Sequence, residues 1–332
     1  MKTRSAKVEI TYNGQNITIP MGQFATSFSY TDNASGESDG IDINIQDSKK
    51  DWMNGMPTKG ATIAAVLKVN DWTKAGDNRR LNCGTFILDD FSFSGPPTTG
   101  TISGVSVPAA SAFKERKLTK TWEAVTIAEI AKTIAAAASI GLVFDTAASF
   151  KIAAIEQSKQ TDCEFLCKLC ETYGLSMKVY NSKIIIFDRE TYKAKAYAGR
   201  IDASDMESWS WKTTLAGTYT GGALTYTDPS TEKEITFTTG AGSRVLECAE
   251  KADNAADAER ILLAAINNAN HGSTSMSVST MGEVKYVAGQ TVQITGLGKC
   301  NGKYYIDKVT HDLGGGYKSS YDLSRVETAV TR

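Results

Sequence analysis

The chain has 332 residues, of which 36 are Lys or Arg and 37 are Asp or Glu, leaving a formal charge of −1. That near-balance gives no global electrostatic case for nucleic acid or anionic lipid, and 41% hydrophobic with 22% charged residues is the make-up of an ordinary globular protein with room for two or three cores. Six cysteines are too sparse for a disulfide scaffold, no stretch approaches the roughly 20 apolar residues of a membrane span, and the opening "MKTRSAKVEITYNG" lacks a signal-peptide apolar run, so free thiols and synthesis in a cytosol are expected.

The first third reads as strands. "KVEITY" alternates Val8, Ile10 and Tyr12, and "IDINIQD" sets Ile41, Ile43 and Ile45 against Asp42, Asn44 and Gln46. Period-two alternation marks strands with one face buried and the other wet. Between them, Thr31–Gly40 reads as a polar loop rich in turn formers. "ATIAAVLKV", "RLNCGTFILDDFSFSG" and "TISGVSV" continue the pattern, and Pro96 and Pro97 mark a connection because proline cannot donate into a central ladder.

The middle changes period. "TIAEIAKTIAAAASIG" opens on a capping box, Thr126 with Glu129, and puts Ile127, Ile130, Ala131 and Ile134 on one helical face, with Gly141 as the expected stop. "TDCEFLCKLCETYG" repeats that grammar with Thr161, Glu164 and a stop at Gly174. Each helix is followed by Gly-Leu and a strand, "GLVFD" and then "GLSMKVYNSKIIIFD", which predicts a small α/β module. From about residue 200 the chain returns to strands, "WSWKTT", "TGGALTYTD" and "KEITFTTG". The helix "NAADAERILLAAINNAN" interrupts them, ending near Gly272. After "STSMSVST" and "QTVQITG", a closing hairpin turns at Gly314–Gly316.

Among residues that could carry chemistry, Cys163, Cys167 and Cys170 have the C-x3-C-x2-C spacing with which radical-SAM enzymes hold an iron–sulfur cluster. At about 100° per residue, Glu164, Lys168, Glu171 and Thr172 take one polar side. Phe165, Leu166, Leu169, Tyr173 and the cysteines take the rest. The thiols then lie at the edge of an apolar face, where free cysteine behaves as a small hydrophobe. A cluster needs its cysteines on a loop around one iron, and zinc lacks a nearby histidine.

The remaining candidates are weaker. His271 is expected as a solvated residue at a helix C-terminus, where it suits the dipole. His311 stands beside Asp312, but strand neighbours point to opposite faces, so a surface role is expected rather than a general-base dyad. Asp89 and Asp90 point apart for the same reason, unless a bulge aligns them. "GLGKC" (Gly296–Cys300) lacks the upstream glycine of a phosphate loop and its Ser/Thr after Lys299. "DNASGESDG" has the composition of a calcium loop, yet Ala34 stands two after Asp32 and breaks the EF-hand spacing. No catalytic, cofactor-binding or metal residue is assigned, and no cofactor is expected.

The ordered set of segments is more telling than any of them. "IDINIQDSKKDWMNGMPTKGATIAAVL", "CGTFILDDFSFSGPPTTGTISGVSV", "KTWEAVTIAEIAKTIAAAASIGLVFD", "EQSKQTDCEFLCKLCETYGLSMKV" and "AGQTVQITGLGKCNGKYYIDKVTHDLGGGYKSSYDLSRV" together resemble the phage late control gene D family. Its members are the tail (baseplate) hub proteins of contractile-tail phages, tail-like bacteriocins and related injection systems. The three helix cysteines depart from the ordinary apolar or polar residues the resemblance leads one to expect.

The resemblance implies an α+β, predominantly β fold, with two tube-like β-barrel domains flanking a small α/β module. The expected division is 1–112 for the first barrel, 113–195 for the module, and 196–332 for the second barrel with its inserted helix. It also implies a homotrimer whose six barrels form a pseudo-sixfold ring, joining a sixfold tail tube to a threefold central spike. The expected partners are the tail spike protein, the tail tube protein or tube initiator, and other baseplate proteins. No catalysis, no membrane binding by the chain itself and no sequence-specific nucleic-acid binding are expected. The protein would be made in the bacterial cytoplasm and assembled into a tail. The alternatives are a hub-associated cell-wall-degrading enzyme, an iron–sulfur enzyme built on the cysteines, and a carbohydrate-binding tail accessory.

Overall fold

The computed structural model describes residues 3–17, 24–55, 58–106, 112–147, 149–227 and 231–330. The fold is α+β and predominantly β, with 51% of the described residues in strands and 19% in helices. The first part carries β1 (Ser5–Tyr12), β2 (Gln15–Asn16), β3 (Ala25–Asn33), β4 (Gly40–Gln46), the one-turn helix α1 (Asp51–Gly55), β5 (Thr62–Asn70), β6 (Arg79–Ser94) and β7 (Thr99–Val105). The middle carries α2 (Ala112–Glu115), β8 (Lys117–Thr126), α3 (Ile127–Ala137), β9 (Gly141–Asp145), β10 (Lys151–Thr161), α4 (Asp162–Thr172), β11 (Leu175–Tyr180), β12 (Lys183–Asp188) and α5 (Arg189–Ala194). The last part holds β13 (Gly199–Asp202), β14 (Met206–Thr213), β15 (Gly221–Thr227), β16 (Glu234–Gly240), β17 (Val245–Cys248), α6 (Ala255–Asn270), β18 (Thr274–Met281), β19 (Thr291–Thr295), β20 (Gly302–Leu313) and β21 (Tyr317–Arg325).

Strands from the two ends of the chain share one sheet, ordered β14-β18-β21-β20-β3-β4-β7-β6-β5-β1-β2, with β19 and β13 branching from β20. The seam between the ends is the antiparallel pair β20–β3, which sets His311 opposite Tyr30 and Val309 opposite Asp32. Alternation works as the sequence predicts: Ile41, Ile43 and Ile45 of β4 face in with Ile63, Leu67 and Phe86, while Asp42 and Asn44 face out. This first core also takes in Val284 and Tyr317 from the far end of the chain. A second core, of Val278, Ile294, Tyr304, Ile306 and Tyr321, lies under β18–β21.

The helices gather a third core. Ile130 and Ile134 of α3, Leu166 and Leu169 of α4, and Leu262 and Ile266 of α6 pack together with Met177 and Val179 of β11. Both predicted capping boxes are present, Thr126 with Glu129 and Thr161 with Glu164, each satisfying two backbone N–H groups that a helix start leaves open. Gly174 ends α4 at φ +72° as expected. Gly141 does not end α3; Ser139 takes the left-handed turn at φ +55°, and Gly141 begins β9. The antiparallel pair β8–β10 beside these helices was not read from the sequence. Its strands are mostly exposed, which leaves no alternating apolar signal.

Candidate functional site

The stretch Thr31–Gly40 is not the solvated loop the sequence suggests. β3 runs on through Asn33, and Asp32, Asn33, Ala34 and Asp39 are all buried. A cation does sit against its two aspartates, and it is a side chain: the Lys178 ammonium of β11, paired with Asp32 and, at 3.1 Å, with Asp39. The other oxygens are used too. Asp32 Oδ2 accepts from the Ala288 N–H at 2.8 Å, and Asp39 Oδ1 accepts from the Asn33 N–H at 2.8 Å. One lysine therefore ties β3, the turn before β4, the helical layer through β11, and the segment before β19.

Charge is finely placed there. Burial pushes the Asp39 carboxyl up to about 7; the Lys178 ammonium opposes that shift and Asp32 adds to it. Burial works against the charge on Lys178, yet the two carboxylates outweigh it and hold the ammonium above lysine's usual range. Two carboxylates sharing one cation in a dry site favour a proton on one of them near neutrality. Tyr180, two residues on, donates from its hydroxyl to the Asn82 carbonyl at 2.8 Å and lies 3.2 Å from where a Cβ on Gly84 would stand.

A second junction lies two residues back along β3. Tyr30 stacks on His311 of β20, ring centroids 5.9 Å apart and 5° from parallel, with Phe86 edge-on to Tyr30 at 6.0 Å. His311 Nδ1 lies 2.9 Å from the Tyr317 hydroxyl and 3.1 Å from Ser319 Oγ. Trp72 donates from its indole N–H to the Gly282 carbonyl at 2.6 Å, and its ring meets that of Tyr317 at 5.5 Å. His311 is thus a core residue rather than a surface one, and burial pulls its imidazole down to about 4. Neutral at ordinary pH, it faces away from exposed Asp312, so no dyad forms.

The other sequence candidates resolve as follows. His271 caps α6 but is not solvated: Nε2 lies 2.8 Å from Asp307 Oδ1, the ring meets Tyr305 edge-on, and burial lowers its pKa. Asp89 and Asp90 do lie at a β-bulge, where the β6–β7 register shifts, and both are exposed. Gly298–Cys300 forms a single 3-10 turn between β19 and β20. Cys163, Cys167 and Cys170 lie on α4 against the helical core. Burial raises all three thiols, Cys163 to about 11, which keeps them protonated and poor as thiolate ligands or nucleophiles. Among the described residues, no group of three or more His, Cys, Asp or Glu side chains is placed to hold a metal ion. No described helix is long and apolar enough to cross a membrane.

No protein-family model matches the chain. Two curated relatives do, each described as a probable baseplate hub protein: one of Escherichia phage 186, 28% identical over 177 residues, and one of Escherichia phage P2, 27% identical over 175. The matches take in 53% and 52% of this chain and 43% of each relative, so less than half of either relative's length is matched. Among solved structures, a tail protein from Neisseria meningitidis MC58 superimposes with a TM-score of 0.74 at 12% identity, covering 97% of each chain. The E. coli c3393 protein, a type VI secretion component described as similar to the T4 tail proteins gp27 and gp5, gives a TM-score of 0.60 at 9% identity over 99% of this chain and 78% of that one. The resemblance read from the ordered segments is matched by similarity to baseplate hub proteins and by a shared tail-protein fold.

Proposed function

We propose that the chain is a structural hub subunit of a contractile tail or injection particle: three copies form a ring that joins a sixfold tail tube to a threefold central spike. The observation that carries this reading is the 28% identity to a baseplate hub protein across more than half of the chain, on a fold shared almost end to end with a tail protein. The geometry supports it. The conspicuous polar groups are spent on holding segments together: Lys178 on two aspartates, His311 on Tyr317 and Ser319, His271 on Asp307. The chain acts by packing rather than by catalysis, with spike, tube or tube initiator, and other baseplate proteins as its partners. It neither binds membranes by itself nor reads nucleic-acid sequence. It is made in the bacterial cytoplasm and incorporated into the tail, with barrel-type units at 1–112 and 196–332 around the 113–195 module.

Counting copies tests this reading. Quantitative mass spectrometry of purified tail tips should return three copies of the chain, and the purified protein should bind spike and tube proteins. A stable monomer that binds neither would overturn it. Purified protein should also leave peptidoglycan intact; cleavage abolished by replacing one acidic residue would replace the structural reading with an enzymatic one.

A further inference from the structure

The pair β8–β10 stands apart from the long sheet, and among the described residues β10 has a strand partner on one side only. Its other edge faces residues 249–253, the segment that leads from β17 towards α6. At Ala153 the two are tied: Asp253 Oδ2 accepts the Ala153 N–H at 3.1 Å, in the role a neighbouring strand's carbonyl would play. Past that tie they part around a cavity of about 480 Å³, which Ile155 lines. Residues two apart along a strand turn their backbone groups to the same side, so Ile155 presents its N–H and C=O towards this slot.

The slot has an apolar base and an acidic margin. Phe165 and Leu169 of α4 and Ile261 of α6, all members of the helical core, line the base. Around them stand four carboxyls, Glu156, Glu250, Asp253 and Asp257, against two ammonium groups, Lys168 and Lys251. Asp257 Oδ2 accepts the Asp253 N–H at 3.0 Å, which fixes both carboxyls at the slot. Burial raises the Asp257 carboxyl and the Asp253 charge adds a smaller push, a cost that a cation brought into the slot relieves. Among the described residues no ion pair joins any of the four carboxyls to a Lys, Arg or His, whereas the clasp aspartates have Lys178.

We propose that this slot receives an extended segment of a partner protein, added as a third strand beside β10. Its Lys or Arg side chains meet the acidic margin, and its apolar side chains meet Phe165, Leu169 and Ile261. A strand's alternation supplies both at once, because one row of side chains turns to the base while the other reaches the carboxyls. Main-chain bonds along the open edge give such a joint its affinity, and the two rows of side chains give it selectivity. The excess of carboxyls over ammonium groups makes the occupant basic. The reading does not require the three-copy ring and concerns a face of the chain that the hub reading leaves unassigned.

Selection from a yeast-displayed library of random short peptides, with the purified full-length chain as bait, tests it. The enriched peptides should alternate Lys or Arg with Val, Ile or Phe. The best of them, made synthetically, should bind about tenfold more weakly to E156K/E250K, which reverses two exposed carboxyls without touching the core, and more tightly to K168E. Added salt should weaken it. N-methylation of its backbone nitrogens, which removes strand bonds and keeps the side chains, should abolish it. No enrichment, an acidic or uncharged consensus, or equal binding to the unaltered chain and E156K/E250K would overturn the proposal. Retained binding by the N-methylated peptide would overturn the added strand. Binding only at concentrations where the chain is monomeric would put a second copy in the slot and equally overturn it. None of these results changes the copy number in tail tips, so the hub reading stands or falls separately.

Discussion

Tyr30 and Asp32 project from the same face of β3, two residues apart, yet they anchor the chain's ends by opposite means. Tyr30 joins a neutral stack, with His311, Tyr317 and Trp72 supplying rings and short hydrogen bonds. Asp32 joins a buried ionic clasp, in which one lysine serves two carboxylates. The stack adds dispersion and burial with no charge to desolvate. The clasp carries a desolvation cost that is repaid only while all its members are present. One junction should therefore tolerate partial damage, and the other should not.

Removing the cation breaks the comparison hardest. Lys178→Met should cost about 3–5 kcal/mol in urea denaturation at pH 8, because it strands two buried carboxylates. The loss should shrink at pH 5. Asp39 already has a raised folded pKa, so its protonated form favours the folded state, and that contribution is lost as pH rises through about 7. Lys178→Met combined with Asp32→Asn and Asp39→Asn should recover most of the stability. An equal loss at both pH values would show that the clasp is not ionic in the sense described.

The stack should respond to acid in the opposite direction. His311 has its folded pKa depressed to about 4, so its contribution is present above the ordinary histidine value of about 6.5 and is lost as pH falls between the two. That interval corresponds to about 3 kcal/mol. In His311→Gln, the decline in unfolding free energy between pH 6.5 and pH 4 should be smaller by that order. Because Asp39 binds its proton over an overlapping range, the intact protein should show a flatter acid limb than either junction alone would give.

A steric probe reaches the stack without touching charge. A Cβ on Gly282 would stand 2.1 Å from the Tyr317 ring, and the Gly282 carbonyl is the acceptor for Trp72. Gly282→Ala should cost about 1–3 kcal/mol by overpacking. Tyr317→Leu in the same chain should make the two losses less than additive in a double-mutant cycle.

What was legible in the sequence follows from the range of each interaction. Capping boxes, alternating strands and the Gly314–Gly316 hairpin are written in a few neighbouring residues, and they stand where those residues put them. The clasp is not local: Asp32 and Lys178 are 146 residues apart, so no spacing rule connects them. A faint sign exists in a lone lysine inside the apolar strand "LSMKVY" and in the acidic residues Asp32, Glu37 and Asp39 of a loop otherwise made of small polar residues and alanine. The adjacent Asp312 suggests a surface place for His311, but its phase with buried Val309, two residues back along β20, puts it on the inward face. The cation that meets the aspartates of this loop is a lysine from another strand, which no local spacing describes.

The smallest effect belongs to the helix whose thiols look most like chemistry. Cys163 and Cys167 are half-buried at the margin of the helical core and raised toward the neutral form, so neither carries a charge that the fold must match. They extend the contrast to its limit: a contact without charge and without a specific partner should lose only the area it covers. Cys163→Ala and Cys167→Ala should each change stability by less than about 1 kcal/mol, while Cys170→Ser, fully buried, should cost about 1–3. Iron and zinc, measured by elemental analysis after anaerobic purification, should be substoichiometric in the intact chain and unchanged in Cys167→Ala. Stoichiometric iron that disappears with Cys167 would put a cluster where the capping box and the apolar neighbours of α4 put a packed helix.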